Sequence, residues 1–162
     1  MEIQALRLVL TDQDLHRMAV QGLNADFPVR ELRVRVRPEG IAFSGVYPTS
    51  IVDVPFAILW QPSVRGGLLA VRLAAIQTGN GDGGLDVFGL LGPGAVRGTV
   101  MNAVARAVQG EDSIEVHGET ILVNPDRLAA RRGWLLRTNL TAVQCQDGRL
   151  VLEAAALASG SA

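Results

Sequence analysis

The sequence predicts an α+β fold in which a strongly curved antiparallel β-sheet wraps around one long central helix. Three observations lead there. Gly92 to Gly110 reads as a single helix, opened by Pro93 in a first turn and closed by Gly110 where a left-handed cap is wanted. On a helical wheel Val96, Val100, Met101, Ala103, Val104, Ala105, Ala107 and Val108 fill an arc of about 200°, twice the stripe of an ordinary surface helix, which asks for enclosure. The flanking sequence alternates at period two between turn residues and so supplies antiparallel strands to enclose it.

Taken in order, Ile3 to Leu10 is a strand. Thr11-Asp12-Gln13-Asp14 forms a capping box, with Thr11 as N-cap and Asp14 three residues on. The helix it opens runs to about Asn24. It carries Leu15, Met18, Ala19 and Leu23 on one side and Gln13, Arg17 and Gln21 on the other, and is expected to cover an edge or mouth of the fold. Phe27-Pro28 breaks it. Glu31 to Arg37 is the cleanest strand: Leu32, Val34 and Val36 point one way, Arg33, Arg35 and Arg37 the other. Pro38-Glu39-Gly40 turns it into Ile41 to Val46.

Ser50 to Trp60 follows, with Val52, Val54, Phe56, Ile58 and Trp60 on one face; Pro55 predicts an edge position or a bulge. Gly67 to Gln77 is its partner, and Thr78 to Val87 is a glycine-rich loop leading into the long helix. Arg97 falls on the apolar side of that helix, in the first turn, where a long stem can reach solvent. Ser113 to His117 and Thr120 to Val123 are short strands. Asn124 caps a short helix from Pro125 to Arg132. Trp134 to Gln144 and Arg149 to Ala155 make a last hairpin around Asp147-Gly148. Residues 1–156 read as one domain and 157–162 as a flexible tail. The order strand, helix, strand, turn, strand occurs twice, once on each side of the long helix.

Composition narrows the function. A net charge of −1 offers no electrostatic case for nucleic acid. All 15 basic residues are arginines, which removes Schiff-base chemistry and the P-loop lysine together. Cys145 is the single cysteine, so no intrachain disulfide forms. No signal peptide is visible, which predicts a cytoplasmic protein, an exported form being the alternative for a trimmed chain.

The phrases LVLTDQDLHRMAVQGL, ELRVRVRPEGIAFSG and ETILVNPDRLAARRGWLLRTNLTAVQCQDGRLVLEA, with the helix between them, resemble the LmeA-like bacterial phospholipid-binding family. That family is similar to the tubular lipid-binding (TULIP) superfamily, which includes the bactericidal permeability-increasing proteins. The resemblance spans roughly Ile3 to Ala155 and implies a TULIP-like sheet around a long helix with an apolar cavity between them.

No catalytic signature is present, so the protein is expected not to be an enzyme. Gly79 to Gly84 matches G-x-G-x-x-G, but the helix begins some ten residues late for a dinucleotide site. No Ser has a visible base partner, and His16 with Asp12 and Asp14 falls short of a metal site. No cofactor or metal is expected.

The central helix is over-apolar and only seven residues are aromatic, so a void is expected between helix and sheet, open to a lipid or another hydrophobic molecule. Met18, Phe56, Ile58, Trp60, Val96, Val100 and Val104 are its expected lining. Trp134 is a further candidate. Arg33, Arg35 and Arg37 are the expected contact to lipid headgroups or a membrane surface, because a guanidinium grips phosphate with two prongs. The alternative is an interaction module with a packed interior, acting through an apolar sheet surface of Ile51, Ala57, Leu59, Leu68, Ala70 and Ile76. A homodimer is expected, made by an exposed sheet surface or edge, with Ile51, Ala57 and Leu59 of the Ser50 to Leu59 segment buried against a twofold copy.

Overall fold

The computed structural model describes residues 5–22, 29–48, 50–78, 93–131, 133 and 137–156. The glycine-rich loop, Trp134 and the tail from Leu157 lie outside them. The elements are β1 (Ala5–Thr11), α1 (Asp12–Gly22), β2 (Arg30–Arg37), β3 (Gly40–Pro48), β4 (Asp53–Arg65), β5 (Leu68–Thr78), α2 (Pro93–Ala107), β6 (Ile114–His117), β7 (Thr120–Val123), α3 (Pro125–Ala130), β8 (Thr138–Gln146) and β9 (Arg149–Ala156).

This overturns the expected fold class. Among the described residues the strands form two antiparallel sheets, one of six strands in the order β2-β3-β4-β5-β7-β6 and one of three in the order β1-β9-β8. No long central helix is wrapped by either sheet. The core is a ladder across the larger sheet. Val36 pairs with Ile41, Ile41 with Trp60 and Trp60 with Leu73. Beside that row Val34 pairs with Phe43, Phe43 with Ile58 and Ile58 with Ile76. Leu15 and Ala19 of α1, Leu10, Val143, Cys145, Leu150 and Leu152 of the smaller sheet, and Met101 of α2 pack onto it.

The helix expected at the centre is one cover among three. Pro93 opens it as the sequence predicts, and Gly110 adopts a φ of +82° just past its end. Among its described side chains only Met101 is buried, with Val100 and Val104 half-buried beside it; Thr99, Asn102, Ala105 and Arg106 are exposed. The wide apolar arc misleads because part of it is alanine, whose exposure costs little. Of the described side chains, Val100, Met101 and Val104 meet the core, while Arg97, Ala103 and Ala107 are half-buried outside it. Arg97 does not snorkel. Its guanidinium donates to the carbonyl of Ala74 at 3.1 Å and lies 3.6 Å from Glu119. Ala74 is the extra residue where the β4–β5 register slips, and its carbonyl is taken by this arginine.

The two β-α-β-β runs are present, but each surrenders its first strand to the other. β1 pairs with β9, and β7 joins the sheet that contains β2 and β3. Pro55 is accommodated in an unexpected way. β4 lies between β3 and β5, so it is not an edge, and its irregularity falls at Leu59/Trp60. The β5 pairing stops at Phe56, however, so Pro55 meets only β3 and its missing N–H deprives no described strand. With β4 interior, the edge on which the dimer was expected does not exist. Of its proposed apolar surface, Ile51 is 88% exposed but Ala70 is only 1% exposed.

Candidate functional site

The site with uncommitted chemistry lies where α1 runs along β2. The chain is set there by a capping box and a ring of hydrogen bonds. The Thr11 N–H donates to Asp14 Oδ2 at 2.9 Å, and the Asp14 N–H donates back to Thr11 Oγ1 at 3.3 Å. The Thr11 hydroxyl also donates to Asp14 Oδ2, at 2.8 Å. These donors, the backbone one foremost, hold the Asp14 carboxyl below its ordinary value. Next door, the Val36 N–H donates to Asp12 Oδ1 at 2.7 Å. The Gly148 N–H donates to the Val36 carbonyl at 2.9 Å, and the Asp12 N–H to the Gly148 carbonyl at 3.2 Å. Three bonds thus close a ring through α1, β2 and the β8–β9 turn, and cap the outer edge of β2.

The arginine row is aimed by a bulge. Arg30 pairs with Val46 and Arg33 with Ser44, so β2 carries one extra residue between them, and Glu31 takes a φ of +54° to make it fit. Without the bulge Arg30 would share a face with Val34 and Val36, which are buried. With it all four arginines of β2 avoid the core. Arg30 is then neutralised by Asp53 at 2.7 Å. Arg33, Arg35 and Arg37 are exposed, and among the described residues none has a hydrogen-bond or ion-pair partner. On an extended strand their Cα atoms are spaced about 6.5 Å apart.

Between α1 and this row runs an open groove of about 690 Å³. Asp12, Gln13, His16, Arg17, Val20 and Gln21 line it from α1; Arg33, Val34 and Arg35 line it from β2. Its one acidic member, Asp12, is committed to Val36. Arg17, Arg33 and Arg35 therefore leave it cationic, beside a Val20 that is 51% exposed. Arg37 continues the row past the groove. The sequence reading missed the part played by His16, Arg17, Gln13 and Gln21, although the polar face of α1 was the visible signal.

The residues expected to line an apolar ligand cavity are placed differently. Trp60 is buried in the core, with Ile58, Val100 and Val104 packed against it. Phe56 is half-buried between Gly45 and Thr78, and Met18 is 42% exposed on α1. Val96 lies in α2, and its side chain is outside the described residues. Of the six whose side chains are described, none lines this groove or the second hollow described next. The second hollow, about 730 Å³, lies between the β2–β3 turn, β4, β5 and β8. Its polar groups bind one another: Arg72 donates to Gln61 Oε1 at 2.8 Å, and Gln61 donates to the Glu39 carbonyl at 3.4 Å. Burial raises the pKa of the Cys145 thiol there, which keeps it protonated and a poor nucleophile.

Asp12 and Asp14, near His16 in sequence, both accept hydrogen bonds at the helix start: Asp14 from Thr11 and Asp12 from Val36. Among the described residues no group of three acidic, His or Cys side chains is placed to hold a metal ion. Among them, too, no helix is long and apolar enough to cross a membrane. Compared with protein-family models, with curated proteins and with solved structures, the chain matches none of them.

Proposed function

We propose that the protein is a non-enzymatic, peripheral lipid-binding protein of the cytoplasm that recognises anionic headgroups with the α1–β2 groove. One observation supports the reading: Arg33 and Arg35 of β2, without side-chain partners among the described residues, line the same open groove as Arg17, with exposed Val20 alongside and Arg37 extending the row beyond it. A phosphate needs paired donors, which guanidinium supplies, and an acyl chain or glycerol edge needs apolar surface, which Val20 begins. The reading retains the headgroup role expected for Arg33, Arg35 and Arg37 and gives up an acyl cavity around a central helix.

The test is co-sedimentation of the full chain with vesicles of phosphatidylglycerol and, separately, phosphatidylcholine. Binding to the first and not the second is expected, falling as salt is raised. Near an anionic surface each arginine contributes about 1 kcal/mol, so the triple variant R33Q/R35Q/R37Q should bind about 100-fold more weakly. Equal binding by this variant, or none by the unmodified protein, overturns the reading.

A further inference from the structure

The strand β1 is an edge in the smaller sheet, and its exposed side does not look like a protected one. Leu6, Leu8 and Val9 are 40%, 47% and 43% exposed, and the segment holds neither proline nor a bulge. We infer that β1 pairs with β1 of a second copy of this chain, antiparallel and centred on Leu8, to join two three-stranded sheets into one of six strands.

The direction of the backbone groups restricts how this can happen. The Asp12 N–H bonds back to Gly148, opposite it across the β1–β9 hairpin-like pairing. Antiparallel alternation extends that pattern to Leu10–Leu150, Leu8–Leu152 and Leu6–Ala154. Ala5, Arg7 and Val9 therefore turn their N–H and C=O groups to the other side, where among the described residues no strand pairs with them. A twofold partner must match odd residues with odd ones, so its axis passes through a residue, and the overlap of the described strand Ala5–Thr11 is longest with the axis at Arg7, Leu8 or Val9.

Two of these registers are poor. An axis at Arg7 sets Arg7 against its twin. An axis at Val9 sets Arg7 opposite Thr11, whose N–H is already donated to Asp14. The axis at Leu8 sets Ala5 opposite Thr11 only at the two ends of the overlap, joins Arg7 to Val9 twice by backbone hydrogen bonds at its centre, and leaves each Arg7 beside its own Glu153, 3.8 Å away. It also packs Leu8 on Leu8 and Leu6 on Leu10, extending the leucine face of Leu150 and Leu152 across the junction. This self-complementarity in hydrogen bonds, charge and apolar side chains selects a second copy over a foreign strand, and a twofold contact closes without forming filaments.

The inference stands apart from the lipid reading and has its own test, sedimentation velocity of the full chain at micromolar concentration without lipid. A species of twice 17.2 kDa is expected. Leu8→Arg should weaken it by about 100-fold or more, through like charges on the axis, with an unchanged circular dichroism spectrum. In a C145S background, Leu8→Cys should oxidise to a cross-linked dimer, because residues on the axis form a close non-hydrogen-bonded pair. Leu6→Cys, which faces Leu10, should not. A monomer at 17.2 kDa, or a dimer that Leu8→Cys fails to trap, overturns the inference.

Discussion

The two longer helices lie against the same core, yet α1, with 11 residues, is fastened more firmly than α2, with 15. At its first turn α1 has the Thr11–Asp14 capping box and the ring through Val36 and Gly148, and it packs the half-buried Leu15 and Ala19 against the core. Among its described contacts α2 has Met101 with two flanking valines and Arg97, which reaches Ala74 and Glu119. Apolar content does not decide how deeply a helix sits. Polar groups that satisfy a neighbouring strand's backbone fix a helix in place, whereas a valine- and alanine-rich surface can be met along one line only.

Three substitutions probe that contrast. The largest effect is expected at Met101→Ala, because no second side chain of α2 is fully buried among those described. Truncating a buried methionine costs about 2–5 kcal/mol, read as a lower urea midpoint. Hydrogen exchange should show α2 amides opening first while α1 stays protected. If both helices lose protection together, α2 is more deeply integrated than its packing indicates.

Asp12→Ala should cost less, about 1–3 kcal/mol, by leaving the Val36 N–H without its acceptor. Asp12→Asn keeps an acceptor oxygen and should restore most of the stability. Indifference of thermal unfolding to either change would show that the ring is not what anchors α1. The smallest effect belongs to Asp14, which sits at the surface. Its carboxyl is held below the ordinary value of 3.8 in the folded chain. Its contribution is thus present above about pH 4 and is lost as pH falls through the lower folded value. Asp14→Asn should flatten that part of the stability–pH curve, and an unchanged curve would remove the capping box from the account.

Much of the local structure was legible. The Thr11–Asp14 box, the Asn124 cap and the turns at Pro38-Glu39 and Asp147-Gly148 depend on neighbours within a few residues, and all are present. The outward arginines of β2 were legible because period two assigns faces without knowledge of the partner. The sheet to which each hairpin belongs was not. Ala5 pairs with Ala155, and neither side chain encodes a preference for the other over a nearer strand. The groove was half legible: the β2 row and the polar face of α1 could each be read, but their meeting depends on the Asp12–Val36 bond between them. The Thr138 N–H and hydroxyl that dock on Asp126 were invisible for the same reason.

The pairing of β1 with β9 also has a consequence for synthesis. The first described strand to leave the ribosome has the last one as its partner. At a translation rate of about 5–20 residues per second, β1 waits on the order of ten seconds for it. During that time Leu6, Leu8 and Val9 are available to chaperones and to neighbouring nascent chains on the same messenger. No strand pairing of the six-stranded sheet involves β8 or β9, although Leu150 and its neighbours complete its core. The ring through Val36 and Gly148 can close only after the β8–β9 turn has been made.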